Sequence, residues 1–430
     1  MRGRNKDRER RDIRKTRRKS LKHILKTTAA AAALVVAAPA VHAEPLKIGI
    51  IESLSGAQTS TGRLFAAGVK FGIDQINAEG GFNGEPIEVV EYDNAGGATE
   101  AADKFRQAAA DGVNIVIQGA SSAIAGQITE DVRKHNIRNP GNEILFMNIG
   151  AEAMELTGEK CHFYHFRFTT TAPMRVNALT NAMGQAGELG TKVMSMNQNY
   201  SWGQDMQAAI AAAAENNNYQ VVDEVLHDVN KIQDFAPFVA RIKSAEPDTV
   251  ITGNWSNDLL LLMKASGDAG LDVRFGTAFL DQPGNLANAG ATALGHYIAN
   301  NYDNSAGSEE FAEEYKSAIG HYPRFVEPQA AFAAGMLGEA LAGLDFGGGE
   351  VNVTDIALAL ENAAYESPIG TISVRAEDHQ TIRPVVVSKV VENATYPADD
   401  TEMGFQSVAV VPAEQAIYPV QESCSMERPG

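Results

Sequence analysis

The chain has 430 residues, of which 44% are apolar, 21% are charged and two are cysteine. That length and apolar content point to two domains and exclude a disulfide-stapled miniprotein or an acidic disordered chain. Residues 1–43 hold 13 of the 36 basic and 3 of the 54 acidic residues. The other 387 carry 23 and 51, a balance of −28, which argues against nucleic acid and anionic membrane surfaces as partners.

The first 43 residues read as an export signal. A basic run ends at Lys26, an Ala-rich apolar stretch covers residues 29–38, and Val41-His42-Ala43 offers a small-residue cleavage site. The stretch is too short for a permanent span. Cleavage after Ala43 starts the mature chain at Glu44 and delivers it to the periplasm. Thr16-Arg17-Arg18-Lys19-Ser20-Leu21-Lys22 resembles the twin-arginine export motif, with Ser20 where that motif prefers Phe. An ordinary secretory signal with a basic prefix is the plainer alternative. In an oxidising compartment, with no third thiol, Cys161 and Cys424 are expected to form one disulfide. Two unpaired buried thiols are the alternative.

Along the mature chain, residues 46–51 form an apolar run expected of a strand buried on both faces. Residues 62–78 follow with Leu64, Phe65, Val69, Ile73 and Ile76 at helical spacing. Strands are expected at 86–92, 113–118 and 144–148, and helices at 98–110 and 123–134. This alternation implies a parallel sheet with right-handed crossovers. A second unit repeats it. Its strands are expected at 192–196, 219–226, 249–253 and 273–278, and its helices at 203–215, 235–244 and 258–269. Helices at 308–319, 329–344 and 353–363 follow, with a glycine break at 347–349. Residues 370–418 read as β-rich.

In open parallel sheets, ligands bind outside the carboxyl ends of the strands. In the first unit those ends lead into Ser53-Leu54-Ser55-Gly56, Gly119-Ala120-Ser121-Ser122 and Asn148-Ile149-Gly150-Ala151-Glu152. These supply hydroxyls and helix N-termini suited to a carboxylate or another polar group. In the second unit they lead into Tyr200-Ser201-Trp202-Gly203, Asn254-Trp255 and Phe279-Leu280-Asp281-Gln282. Both tryptophans of the chain fall there. One polar and one aromatic wall imply a cleft for a small ligand.

Catalytic signatures are missing. There is no G-x-S-x-G elbow, P-loop or H-E-x-x-H. Cys161-His162 with His165 could be part of a metal site, but a disulfide cysteine beside two structural histidines is the plainer reading. Asp378-His379-Gln380 could suggest acid–base work, but a turn with a surface histidine is the plainer reading. No enzyme, metal or cofactor is expected.

The ordered set Ser55-Gly56 with Gly62, Gly80-Gly81-Phe82-Asn83-Gly84, Tyr92-Asp93, the 119–122 turn, Phe166-Arg167-Phe168, Tyr200 to Gly203 and Asn301-Tyr302-Asp303 resembles type I periplasmic solute-binding proteins of ABC transporters. The leucine/isoleucine/valine-binding branch is the most similar. The resemblance covers essentially the whole mature chain. It implies two Rossmann-like α/β lobes with parallel central sheets, joined by a three-crossing hinge near residues 169–173, 300–303 and 375–378. Lobe 1 would be 44–170 plus 301–375, and lobe 2 would be 171–300 plus 376–430. It implies ligand capture by hinge closure, docking on permease subunits in the inner membrane, and a monomer.

Carried over by position, Ser121 resembles the hydroxyl that holds an amino-acid carboxylate, and Gly150 a backbone partner. Tyr200 or Trp202, and Trp255, resemble the aromatic lining. Asp281 stands nearest the family's ammonium-binding carboxylate. With Ser55, Ser122 and Glu152 these are the candidate ligand-binding residues. Glu152 replaces a carboxylate-holding Thr, Thr61 replaces an aromatic, and Trp replaces Tyr in lobe 2. Aliphatic amino acids, aromatic carboxylates, and amides or urea-like solutes therefore remain open. A periplasmic sensor subunit for a membrane receptor is the rival function, and an exported enzyme a third.

Overall fold

The computed structural model describes residues 44–346 and 349–429. The expected leader, its cleavage site, and Gly347 and Gly348 of the glycine break lie outside them.

The first five strands are β1 (Lys47–Glu52), β2 (Glu88–Asp93), β3 (Ile115–Gln118), β4 (Leu145–Asn148) and β5 (His165–Arg167). All pair in parallel. Helices α1 (Thr59–Ala78), α2 (Ala98–Ala110) and α3 (Ser122–Arg138) connect the first four. β3 and β4 are buried along their whole length, because helices cover both faces of a parallel sheet. The stripe Phe65, Val69 and Ile73 is the buried side of α1.

Helix α4 (Ala172–Gln185) opens the second unit. Strands β6 (Lys192–Gln198), β7 (Gln220–His227), β8 (Thr249–Thr252), β9 (Arg274–Thr277) and β10 (Tyr297–Asn300) follow. They alternate with α5 (Ser201–Asn217), α6 (Ala236–Ala245), α7 (Ser256–Asp268) and the short α8 (Asn285–Ala289). These strands are again parallel. The chain then returns to the first unit through α9 (Glu309–Ile319), α10 (Glu327–Ala342) and α11 (Val353–Asn362), and adds β11 (Ala364–Ser367), β12 (Gly370–Arg375) and β13 (Gln380–Ile382). Strands β14 (Val385–Val391) and β15 (Gly404–Val411) go back to the second sheet, followed by α12 (Ala413–Ala416).

The result is an eight-stranded sheet, β11-β12-β13-β5-β4-β3-β1-β2, and a seven-stranded sheet, β15-β14-β10-β9-β8-β6-β7. Each is a parallel core with antiparallel strands added at one side. The two-unit α/β architecture read from the sequence is present. The short strands β5 (His165–Arg167) and β10 (Tyr297–Asn300) were not read from it; each lies directly before a passage between the sheets.

The chain passes between the sheets after Arg167, after Asn300 and after Ile382. The third passage differs from the expected 375–378. The turn after Arg375 feeds β13, which still pairs with β5 of the first sheet. Asp378 and His379 end that turn and Gln380 begins β13; the histidine, expected at the surface, is buried at φ +54° with Nε2 bonded to Glu361. The crossing itself is Arg383-Pro384. The Arg383 guanidinium is buried against the other two crossings, donating to Phe168 O at 3.0 Å and Asn301 O at 2.9 Å.

The tail also departs from expectation. After α12 it leaves the second unit and runs along the first, where Cys424 and Cys161 form a disulfide. His162 bonds Thr129 and His165 stacks on Phe146. Among the described residues no group of His, Cys, Asp and Glu could hold a metal ion. None of their helices is long and apolar enough to cross a membrane.

Candidate ligand-binding cleft

The carboxyl ends of both sheets border a cleft of about 370 Å³, part of it open to solvent. One wall comes from the first unit: Thr61 and Phe65 of α1, the turn Gly119–Ser122, and Gly150–Glu152. The other is aromatic: Tyr200, Trp202, Trp255 and Phe279. Phe325 and Val326 close one end.

The polar wall begins at Ser121, which precedes α3 with φ +81° and ψ 118°. That is a costly conformation for a residue with a Cβ and is held only where the surroundings enforce it. Here the enforcing group is Glu52 at the end of β1. Its buried carboxyl group accepts from the backbone N–H of Gly119 and of Ala120 (3.2 Å) and from Ser53 N (3.2 Å). Burial pushes Glu52 up to about 8, against the lowering effect of those three N–H groups. The turn directs Ser121 and Ser122 at the N-terminus of α3, where the helix dipole favours an electron-rich ligand group. Ser122 Oγ accepts from Ala153 N at 3.2 Å. Thr61 Oγ1 is buried with no hydrogen-bond partner among the described residues.

Gly119 and Gly150 form the floor for a different reason from the one expected of Gly150. A Cβ on Gly119 would lie 2.6 Å from the Phe65 ring, and one on Gly150 2.2 Å from it. Only glycine lets that ring lie against both strand ends.

On the aromatic wall, Trp255 Nε1 donates to Tyr200 Oη at 2.7 Å. This uses Tyr200 as acceptor and leaves its own proton to donate. Burial pushes the Tyr200 hydroxyl well above its ordinary range, so it stays protonated. Trp202 is nearly fully buried and donates to Gly253 O at 2.8 Å. Its ring is 5.6 Å from Phe279, which lies 6.1 Å from Phe325.

Glu152 reaches the cleft but is saturated. Arg175 Nε and Nη2 donate to its two oxygens at 2.7 Å each, and the Thr169 and Thr170 hydroxyls add bonds of 2.7 and 2.9 Å. The Arg175 guanidinium also lies 4.9 Å from the Phe279 ring centroid. The two walls meet at the rim, where Asp205 accepts from Met154 N at 2.7 Å and Ser256 Oγ donates to Ala57 O at 3.2 Å.

Of the sequence candidates, the structure gathers Ser121, Ser122, Gly150, Glu152, Tyr200, Trp202 and Trp255 around this one space. Ser55 is not there. It is exposed on the turn beyond β1, where its N–H bonds Asp93. Asp281 is not there either. It lines a separate, partly open pocket and is bonded by Asn300, while burial pushes it up to about 7 against the opposing Arg175 charge. Phe65, Phe279 and Phe325 line the cleft and were not proposed from the sequence. Phe279 lies two residues beyond β9 and was within reach of the strand-end rule. Phe65 belongs to the ordinary apolar stripe of α1, and Phe325 to a loop after Pro323.

A family model described as "Periplasmic binding protein" matches residues 45–395. The Leu/Ile/Val-binding protein homolog 4 of Brucella abortus is 54% identical over 415 residues, covering 96% of this chain and 100% of that protein. The solved leucine-, isoleucine-, valine-, threonine-, and alanine-binding protein from Brucella ovis, in a closed conformation, is 54% identical. It has a TM-score of 0.85 and covers 90% of this chain and 100% of its own. A solute-binding protein from Rhodopseudomonas palustris BisB5 in complex with 3,4-dihydroxy benzoic acid shares the fold at 22% identity. Its TM-score is 0.73, over 86% of this chain and 98% of its own.

Proposed function

This chain belongs to the periplasmic binding protein family, whose members here are solute-binding proteins rather than enzymes, and we propose that it is the substrate-binding component of an ABC importer. It is exported with cleavage near Ala43, acts as a monomer in the periplasm, and delivers its solute to inner-membrane permease subunits. Lobe 1 is the unit of the eight-stranded sheet and lobe 2 that of the seven-stranded sheet, and they hinge at the three crossings. Closure buries the solute between them.

The observation that supports this most is the pairing of walls. Ser121 and Ser122 line one side of a cleft whose other side is lined by Tyr200, Trp255 and Phe279. The serines, the α3 N-terminus and the Tyr200 hydroxyl orient an electron-rich group such as a carboxylate or carbonyl. The rings cover an apolar or planar body.

The solute is net neutral. The ionisable groups on the cleft wall are Glu152 and Tyr200. Arg175 balances the first and the second stays protonated, so no net charge is left to match an ion. A zwitterionic amino acid with an apolar side chain fits, as does an amide. The names of the 54% identical relatives favour the amino acid. Calorimetric titration with leucine, isoleucine, benzamide and benzoate tests this. Leucine or benzamide binding with a change in Trp fluorescence, and benzoate not binding, is expected. Tight benzoate binding alone would overturn the neutral-solute reading, and no binding across a wide solute panel would overturn the transport reading. A sensor subunit would use the same cleft, and adjacent permease and ATPase genes decide for transport.

A further inference from the structure

The tail after α12 connects the two units a fourth time. β15 is paired to β14 in the second sheet, and Ala416 and Tyr418 pack into the core beside Ala172 and Met174 of α4. Eight residues beyond Ala416, Cys424 is bonded covalently to Cys161 of the first unit. Between those anchors, Tyr418 O accepts from Arg375 at 2.7 Å and Gln421 donates to Met154 O at 2.7 Å. Beyond Cys424, Arg428 pairs with Glu361 of α11.

The placement differs from that of the three crossings. Those meet around Arg383. The tail leaves the second unit beside them, where Tyr418 O meets Arg375, and runs on to the rim of the cleft at Met154, whose carbonyl accepts from Gln421 and whose N–H is held by Asp205 of the opposite wall. A tether at a hinge leaves rotation free, whereas a tether at the rim limits how far the rim can part. Fully extended, the segment from Ala416 to Cys424 reaches about 28 Å at most, and Pro419 within it removes backbone freedom.

We propose that residues 417–424, locked by the Cys161–Cys424 disulfide, form a strap that limits the opening of the two lobes and keeps the ligand-free protein partly closed. Pre-organisation of this kind lowers the cost of closure when solute binds. The strap works without regard to which solute is bound, and it rests on the hinge-closing reading given above.

Two variants of the full chain test it. The Cys161→Ser/Cys424→Ser pair releases the anchor, and a short Gly-Ser insertion between Pro419 and Val420 adds slack while keeping the disulfide. Small-angle scattering of the ligand-free proteins is expected to give a larger radius of gyration for both than for wild type. Amide exchange at residues 256–259, on the opposite rim and away from the strap, is expected to rise several-fold in both. If the double cysteine variant does not fold, the insertion variant alone decides. Wild-type radius and exchange there, or faster exchange confined to residues 154–161, would overturn the strap. If the variants match wild type while a binding solute still shrinks the protein, the strap fails and hinge closure stands. If neither the variants nor the solute changes the radius, both fail.

Discussion

Glu152 and Arg175 meet through two parallel hydrogen bonds of 2.7 Å, Nε to Oε2 and Nη2 to Oε1, with both side chains almost wholly buried. Glu152 follows β4 in the first unit and Arg175 lies on α4 in the second, so the pair spans the first crossing. Arg175 further donates through Nη1 to Ala278 O at 2.9 Å and to Ala299 O. A carboxylate that the sequence alone would place as a threat to an acidic ligand is therefore committed to the first passage between the sheets.

Removing one partner strands the other in the interior, which is more costly than never having buried the pair. Arg175→Ala is expected to destabilise the protein by about 3–5 kcal/mol. Urea unfolding measures it, and a loss under about 1 kcal/mol would place the pair in solvent-like surroundings.

Glu52 gives a pH dependence with a definite sign. Its carboxyl is raised from 4.5 to about 8 by burial, so its protonated form favours the folded state. Its contribution is fully present below about pH 4.5, declines as pH rises, and is lost above about pH 8. Wild type is thus expected to lose stability relative to Glu52→Gln across that interval, by a few kcal/mol at about 1.4 per pKa unit. Thermal melts of both proteins from pH 5 to 9 would show the two curves separating. Parallel curves would contradict a buried, raised Glu52.

Gly150→Ala introduces a methyl against Phe65. Overpacking of this kind is expected to cost about 1–3 kcal/mol. Phe65→Leu in the same chain should recover part of the loss. Without that recovery the defect lies elsewhere than the Phe65 contact.

Arg383 holds the carbonyls of two crossings, Phe168 and Asn301, from the third. Arg383→Met fills much of the volume but leaves both carbonyls without that donor, and about 1–3 kcal/mol is expected for each unmet buried group. Slowed closure in stopped-flow Trp fluorescence should accompany the stability loss. Wild-type stability would show that water replaces the guanidinium.

Much of the architecture was legible because buried parallel strands and amphipathic helices write their own periods. Ser121, Ser122, Tyr200 and Trp255 were legible from the strand-end rule alone. What failed depended on side-chain direction or long-range pairing. Ser55 lies on an exposed turn whose backbone N–H bonds Asp93. Asp281 belongs to the right segment, but Phe279, two residues earlier, takes the position facing the cleft. The third crossing slipped from 375–378 to Arg383-Pro384 because β13 intervenes, and its pairing with β5 is a long-range contact that the β-rich pattern of the tail does not reveal. The partner of Glu152 is 23 residues away on a helix, and nothing local announces it. The acid excess of residues 44–430 is carried largely at the surface, and the cleft does not use it.

The central claim is that one net-neutral solute is held between Ser121 and Trp255. A crystal structure of the protein purified from its native periplasm with its solute retained tests it most directly. The account predicts one small molecule with its electron-rich end on Ser121, Ser122 and the Tyr200 hydroxyl, and its apolar body against Trp255 and Phe279. A solute seated in the Asp281 cavity instead, or an anion displacing Glu152 from Arg175, would contradict it.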